Sequence, residues 1–290
     1  MTPSRYTTAI SRTLLAALTV SALVACGGAD GPTVNTKQDL AYVRVVNAIP
    51  DTGIMIYRFT DKLENALDAN GTAFRTASAY QGYAPGERTF RAFMLNAAAS
   101  VIIAGGAPLI DQQVTLTANT YYTIVHFGRA IPATADSIAV VIDSVPTPSV
   151  LGTSIAVRAL HFATGVLGVD VLTTRRATDA LPATPAFSGL IYKGSTGNTY
   201  TIRAVADSIA ARVRVVAAPT VILSAQGPNG EAGTVERNPL SGVRVGGSVL
   251  SVIAFPRPTA ATRANLADSL PVLRWFVDGR AFNTQPIDRN

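Results

Sequence analysis

Short apolar segments recur along the chain between residues 40 and 280, and clusters of turn residues separate them. The segments are rich in Val, Ile, Tyr and Thr, the residue types that suit a pleated, half-buried strand. Alternation is clearest at residues 210–216, where two arginines separate Ala211, Val213 and Val215, so that these apolar residues share one face of a strand. The pattern predicts an all-β fold in which each strand has one polar face.

The same order of segments occurs twice. Residues 42–47 and an Asp-Thr-Gly turn in the first half match residues 156–161 and an Ala-Thr-Gly turn in the second half. An internal repeat of this length predicts two structural copies of one unit. The later matches that we predict are residues 80–83 with 187–190, residues 89–93 with 201–205, and the hairpin of residues 135–143 with that of residues 267–278.

The repeat predicts domains at residues 40–146 and 154–280, joined by the Pro-rich segment 146–149 and followed by a tail at residues 281–290. About seven short strands in each hundred-odd residues are typical of an immunoglobulin-like sandwich. We therefore predict two tandem immunoglobulin-like antiparallel β-sandwiches that fold separately.

Residues 1–25 have a different pattern, which is typical of a secretory signal peptide. Arg5 and Arg12 precede an apolar run at residues 14–25. This run is shorter than the roughly 20 apolar residues that a membrane-spanning helix needs. An ordinary signal peptidase prefers small residues at the first and third positions before the cut, and cleavage after Ala25 would put Leu23 at the third position.

Leu-Val-Ala-Cys at residues 23–26 resembles the bacterial lipobox, in which the cysteine is lipidated and becomes the first residue of the mature protein. We therefore expect a lipid anchor on Cys26, which holds the protein at its membrane. Residues 26–39 are small and polar and form a flexible tether, on the order of 20 Å in span. Gly27 follows the cysteine, and by analogy with lipoproteins of two-membrane cells it favours the outer membrane.

Composition narrows the remaining function classes. The net charge of +6 is spread along the chain rather than gathered into runs, which does not indicate nucleic-acid binding. Cys26 is the only cysteine, so no disulfide can form and stability has to come from packing.

Catalytic and metal-binding patterns are absent from the sequence. His126 and His161 are the only histidines, too few for a typical metal site, and each lies in or at the end of an apolar segment, where hydrogen bonding within the fold is expected. No Gly-x-Ser-x-Gly or Ser-x-x-Lys motif occurs. Asp136 and Asp268 lie in matching hairpins and are expected to cap backbone amides. We expect no catalytic residues, metal or cofactor, and therefore no enzyme.

Two sets of side chains could contact a ligand. Six of the nine tyrosines lie in the first copy. Of these we select Tyr83 and Tyr122 as candidates for stacking on a sugar, with core filling as the alternative. Tyr121 and Tyr122 are adjacent and must point to opposite faces of their strand. Four arginines recur at positions that we match between the copies and could form a strip that meets anionic lipopolysaccharide or peptidoglycan, with a solvated sheet face as the alternative: Arg44, Arg91, Arg158 and Arg203. From this set, Arg44 and Arg91 are the candidate ligand-binding residues.

Several of these segments together resemble a known family. They are Arg-Val-Val-Asn-Ala-Ile-Pro-Asp at residues 44–51, Tyr-Gln-Gly-Tyr at residues 80–83, Pro-Gly at residues 85–86 and Tyr-Tyr-Thr-Ile-Val at residues 121–125. The sequence resembles the secreted bacterial domain-of-unknown-function family numbered 4397 over residues 41–145. In the second copy His161 matches a position where the family often has histidine. The resemblance implies an envelope protein, often a lipoprotein with tandem sandwich domains, and it supplies no catalytic residues.

These features together predict a binding or adhesion module without enzymatic activity, held at the membrane by its lipid and facing a glycan, a peptide or an envelope protein. Binding sites of sandwiches lie mostly in loops at one end or on a sheet face. A structural spacer of the surface layer is the first alternative, and an envelope enzyme is the second.

Overall fold

The structure is a computed structural model, and it describes residues 39–61, 71–96, 101–102, 107–130, 135–195, 199–216, 218–231, 240–258 and 270–279. These residues belong to one unit that begins at Asp39. The signal peptide, Cys26 and nearly all of the tether therefore lie outside the described residues.

The described strands of the first copy form two sheets. They are β1 (Ala41–Asn47), β2 (Met55–Phe59), β3 (Thr76–Ala77), β4 (Gln81–Tyr83), β5 (Gly86–Asn96), β6 (Val101–Ile102), β7 (Ile110–Leu116), β8 (Tyr121–Arg129) and β9 (Ala135–Ile142). The central sheet has the order β3-β1-β8-β9, and β4 also pairs with β1. The outer sheet has the order β2-β5-β6, and β7 also pairs with β5.

The second copy repeats this plan after a short helical turn, α1 (Pro148–Leu151). Its described strands are β10 (Ile155–His161), β11 (Val169–Thr174), β12 (Phe187–Leu190), β13 (Gly194–Ser195), β14 (Thr201–Arg203), β15 (Ala210–Val215), β16 (Val221–Gln226), β17 (Val249–Phe255) and β18 (Val272–Gly279). The central sheet has the order β13-β10-β17-β18, with β14 also on β10, and the outer sheet has the order β12-β11-β15-β16.

The all-β class and the sandwich architecture are confirmed. The sheets are not purely antiparallel, however, because β1 runs parallel to β8 and β10 runs parallel to β17. Parallel neighbours need a long crossover connection. In each copy that connection contains the strands of the outer sheet, so the chain returns to the central sheet in the same direction in which it left.

The structure corrects the alignment of the two copies. β4 pairs with the start of β1 as β14 pairs with the start of β10, so residues 81–83 correspond to residues 201–203 rather than to residues 187–190. β5 then corresponds to β15, because each pairs with the second strand of its copy. The predicted match with residues 187–190 is wrong because β12, which pairs with β11 in the outer sheet, carries a similar aromatic-x-Gly pattern.

Three large apolar cores and one small one hold the described part of the fold together. One lies between the two sheets of the first copy, around Tyr57 and Ile124, and a second lies between the two sheets of the second copy, around Val171 and Val252. The third lies between the two central sheets, around Phe127, Phe162 and Phe255 among others. The molecule is therefore layered as outer, central, central and outer sheets.

The third core changes the expected character of the central strands. Val43 and Val45 point into the core of the first copy, while Val46, on the opposite face of β1, points into the core between the copies. The expectation of one polar face per strand is wrong for β1, β8, β10 and β17, which are buried on both faces along almost their whole length. Parallel strands covered on both sides read as nearly continuous apolar runs.

The expected domain limits and the expected separate folding of the copies stay predictions. Strands β1–β9 lie within residues 40–146 and β10–β18 within residues 154–280. The connection between them is not a free linker, because Leu151 of α1 is buried against Tyr200 and Val249 of the second copy. Separating the copies would expose the core that they share.

Candidate functional site

Arg44 and Arg158 lie at equivalent places in the two copies, on the strand faces that meet between the central sheets. Arg44 of β1 stands opposite Thr123 of β8, and Arg158 of β10 stands opposite Ser251 of β17. Both arginines are at most 2% exposed. Each charged head therefore depends on partners within the interface rather than on solvent.

The ion pairs of these arginines cross from one copy to the other. Nη2 of Arg44 lies 2.5 Å from Oδ1 of Asp278, at the end of the second copy, and Nη1 of Arg158 lies 2.5 Å from Oδ1 of Asp143, at the end of the first. We call Arg44, Asp143, Arg158 and Asp278 the crossed ion-pair cluster. Its two halves are related by the internal repeat, so the cluster joins the copies symmetrically.

A hydroxyl group on the neighbouring parallel strand bridges each arginine to the carboxylate of its own copy. Nε of Arg44 donates to Oγ1 of Thr123 at 2.9 Å, and Thr123 donates to Asp143 at 2.7 Å. Nε of Arg158 donates to Oγ of Ser251 at 2.6 Å, and Ser251 donates to Asp278. Every carboxylate in the cluster is thus bonded from both copies.

Tyr80 and Tyr200 complete the two halves. The Cζ atom of Arg44 lies 4.9 Å from the ring centroid of Tyr80, and that of Arg158 lies 4.9 Å from the ring centroid of Tyr200. The Tyr80 hydroxyl donates to Asp143 at 2.6 Å and the Tyr200 hydroxyl to Asp278 at 2.9 Å. Burial raises the pKa of both tyrosines well above the ordinary value, so they remain neutral donors. The counterpart of Tyr80 is therefore Tyr200, which the sequence alignment missed.

The two arginines of this cluster keep their positive charge. Burial by itself lowers the pKa of Arg44, but the carboxylates of Asp278 and Asp143 raise it, and the pKa ends above its ordinary value. The same opposing effects raise the pKa of Arg158. Because the cluster is closed to solvent, it corrects the role predicted for Arg44: this arginine fastens the two copies together and does not face a ligand.

Tyr83 and Tyr122, the two tyrosines selected for sugar stacking, belong to the core of the first copy. They are 7% and 3% exposed. The Tyr83 ring lies 4.7 Å from that of Phe59, and the Tyr122 hydroxyl accepts a hydrogen bond from the Thr117 amide at 2.9 Å. Their rings are covered by protein, so the core-filling alternative describes them. Tyr121 points the other way, as the alternation requires, and stacks on Tyr42.

The four arginines do not form one strip. Arg44 and Arg158 are inside the interface, whereas Arg91 lies on the outer strand β5 and pairs with Asp111 at 3.0 Å on the surface. Arg203 lies on β14, which corresponds to β4 rather than to the strand of Arg91. The predicted strip is wrong because it depended on the match of residues 89–93 with residues 201–205, which the strand pairing does not support.

His126 lies in a buried hydrogen-bonded chain. Its Nδ1 lies 3.1 Å from the Tyr57 hydroxyl, and its Nε2 lies 2.9 Å from Oδ2 of Asp136. Burial lowers the pKa of His126, although the Asp136 carboxylate opposes the shift. Asp136 therefore bonds a side chain rather than capping backbone amides as expected. The order Asp-His-Tyr resembles a proton relay, but Tyr57 and His126 are at most 1% exposed, so a substrate has no direct access to them.

His161 has a strand-end role. Its Nδ1 accepts from the Ala163 amide at 3.3 Å, and its Nε2 lies 3.2 Å from the Leu167 carbonyl and 3.3 Å from that of Val166. Burial lowers its pKa. Among the described residues no group of three or more His, Cys, Asp or Glu side chains could hold a metal ion. Within the same residues, no helix is long and apolar enough to cross a membrane.

The candidate binding site is a groove of about 390 Å³ at the end of the molecule where the parallel central strands finish. Loops of both copies line it, including Pro50 and Arg129 from the first and Thr164, Pro256 and Arg257 from the second. Arg129 and Arg257 are equivalent, because each stands eight residues after the matched positions Tyr121 and Val249, which face the first paired residues of β1 and β10. We call this site the two-arginine groove.

Sequence analysis missed this pair, although a signal was present. Phe-Gly-Arg at residues 127–129 and Phe-Pro-Arg at residues 255–257 end the matched strands of the two copies. In each tripeptide the phenylalanine is buried between the copies and the arginine is exposed. The repeat carried the pattern, but only the contact between the two sheets brings the two ends to one groove.

A buried arginine braces one wall of the groove. Arg75 of the first copy donates through Nη2 to the carbonyl oxygens of Pro256 at 2.9 Å and Leu270 at 2.6 Å in the second copy. Lys193 is its counterpart, since both residues have a positive φ near 65° and precede matched short strands. The Lys193 ammonium lies 5.1 Å from the ring centroid of Phe127 in the first copy. Each copy thus reaches over the other beside the groove.

The fold and the groove define a tandem β-sandwich protein with a loop site between its copies. A family model described as a domain of unknown function (DUF4397) matches residues 41–172. Residues 41–172 therefore carry a domain of that family, which confirms the resemblance seen in the sequence. The match runs through the whole first copy and on into β11, so it includes Arg158. No curated protein matches the chain.

Proposed function

We propose that this protein is a lipid-anchored component of the bacterial cell envelope that binds a glycan or another envelope protein without catalysing a reaction. The observation that carries the binding role is the two-arginine groove, which is open, lies between the copies and is built from loops. Ligand sites occur preferentially at such junctions. The crossed ion-pair cluster and the chain of Asp136, His126 and Tyr57 are instead buried and bonded within the fold.

A non-enzymatic role is favoured by the position of the titratable groups. A general base must come within hydrogen-bonding reach of the proton that it removes. His126 and Tyr57 are enclosed in the first copy, and the carboxylates of the crossed ion-pair cluster are held by arginine and hydroxyl donors. The described lining of the groove contains no histidine and no carboxylate.

The anchor and the location rest on the sequence. The signal peptide and the lipobox support lipidation of Cys26, and the glycine that follows it favours the outer membrane. Mass spectrometry of the protein from its native membrane should find acyl chains on an N-terminal Cys26. A soluble, unmodified product that begins elsewhere would contradict the anchor.

Capture from native envelope, paired with a glycan array, tests the binding role. The mature protein in mild detergent should retain a specific component, and the double variant Arg129→Gln/Arg257→Gln should retain less of it. Arg175→Gln is the matched control, because Arg175 is exposed and, among the described residues, forms an ion pair with Asp207 alone, on the surface of the second copy. Tyr83→Ala and Tyr122→Ala are unsuitable, since both would open cavities in the core.

A structural spacer is the second candidate. The rigid, four-layered stack and its crossed ion-pair cluster favour it, since both fix the distance between the two ends of the molecule. If neither the capture from native envelope nor the glycan array found a specific ligand, we would assign the protein as a structural spacer.

A further inference from the structure

We propose that the two-arginine groove binds an acidic saccharide of the envelope, with Arg129 and Arg257 holding its phosphate or carboxylate group. This inference rests on the proposed binding function and names the class of ligand. It starts from the symmetry of the two arginines. They occupy matched positions, yet they belong to different copies and converge on one groove.

Both guanidinium groups are available. Arg129 and Arg257 are exposed, and neither makes an ion pair or side-chain hydrogen bond with another residue in the described part of the chain. The arginines of the crossed ion-pair cluster differ in this respect, because carboxylates neutralise them. Two uncompensated cations at one opening attract an anion and raise its local concentration.

The surroundings of the groove add to this attraction. Among the described residues, no acidic side chain lines it. Asp51, next to the lining residue Pro50, is buried and accepts a hydrogen bond from the Ala130 amide at 3.0 Å. The described lining of the groove therefore carries a net positive charge.

The chemistry of arginine selects the anion. A guanidinium group presents a planar fork of N–H donors that matches the oxygens of a phosphate or a carboxylate. Two forks in one groove suit one such group, or two groups on the same ligand. The volume of about 390 Å³ exceeds what a bare anion needs and lies within the usual range for small-molecule sites, roughly 300–1,000 Å³.

The remainder of the lining suits the body of a sugar. Three prolines and Leu270 give the groove apolar walls, which can cover the C–H face of a pyranose ring. Thr164 and the Gly165 backbone supply polar groups on the same surface. We therefore favour an acidic saccharide over free phosphate.

Calorimetric titration of the mature protein in detergent tests this assignment. The probes are a hexose phosphate, a hexuronate, inorganic phosphate and a neutral hexose. We expect at least one acidic sugar to bind more tightly than the other two kinds of probe, and its binding to weaken as salt is raised. Arg129→Gln and Arg257→Gln should each weaken it about 10-fold or more, as expected for loss of a hydrogen bond to a charged group.

Controls separate loss of the site from loss of the fold. Arg175→Gln should leave the affinity unchanged, and both groove variants should keep the circular dichroism spectrum and melting temperature of the parent. Arg257→Lys keeps the charge but not the fork, so it should bind more weakly than the parent.

The remaining outcomes decide against the proposal. If inorganic phosphate bound as tightly as the hexose phosphate, the sugar part of the ligand would not be recognised. If the neutral hexose bound as tightly as the acidic sugars, the anionic group would not be recognised. Absence of binding by every acidic probe would also overturn it. If the double groove variant still captured an envelope component in the experiment above, the binding function would stand with its site elsewhere.

Discussion

Neutralising Asp278 tests whether the crossed ion-pair cluster unites the two copies. In Asp278→Asn, Nη2 of Arg44 would lose the carboxylate oxygen that lies 2.5 Å away. The Tyr200 hydroxyl, which donates to Asp278 at 2.9 Å, would face a neutral amide instead of a carboxylate. Asp278 raises the pKa of Arg44, but an arginine stays protonated in a protein even without such a partner. Arg44 would therefore keep its charge in a buried place. Removing one member of a buried ion pair typically costs about 3–5 kcal/mol.

That loss is large beside the total stability of an ordinary domain, about 5–15 kcal/mol. Urea unfolding followed by circular dichroism and by the fluorescence of Trp275 measures it. Trp275 is the only tryptophan and lies in β18, so its signal reports on the second copy while circular dichroism reports on both. Because the copies share a core, we expect the two curves of the parent to coincide in one transition.

Matched variants control for the loss of charge itself. By symmetry Asp143→Asn should cost about as much as Asp278→Asn. Asp111→Asn, which breaks the exposed pair with Arg91, should cost less than about 1 kcal/mol. Replacing both partners, as in Arg44→Met/Asp278→Leu, should be milder than Asp278→Asn alone because no buried charge is left unpaired. If Asp278→Asn cost no more than Asp111→Asn, the cluster would not fasten the copies. If the parent showed two separate transitions, the prediction of independent folding would hold instead.

Two further predictions concern Tyr122 and the two histidines. Tyr122→Ala should reduce the free energy of unfolding by about 3–5 kcal/mol, as for other large aromatic truncations. Tyr122→Phe should reduce it by only about 1 kcal/mol, because it loses the hydrogen bond with Thr117 alone. If urea unfolding showed small and equal effects for the two variants, Tyr122 would not be a core residue. The free energy of unfolding should also decrease as the pH is lowered, because the pKa values of His126 and His161 are lowered in the folded state. The unfolded chain therefore takes up protons before the folded protein does when the pH drops below about 6.5. The fall should level off below the folded pKa values, and His126→Gln should flatten the pH profile; an unchanged profile would show that His126 does not cause it.

The sequence determined the class of the fold and its internal repetition, because both are written in local patterns. Alternating segments with turns between them are enough to predict strands, and the reuse of residues 42–47 at 156–161 is enough to predict two copies. The family resemblance depended on the same local motifs. The lipobox is also local, so the prediction for Cys26 needs no fold.

Which side chains meet was decided by the tertiary structure. Arg44 and Arg158 were visible as a recurring pair, but the carboxylates that bind them end the last strand of the opposite copy. Strand alternation says only that a residue leaves its sheet on one side, and it cannot say whether water or another sheet lies there. Packing of the two central sheets buried Arg44 between them. The same contact brought Arg129 and Arg257 into the lining of one groove at the end of the paired strands, where both arginines are exposed.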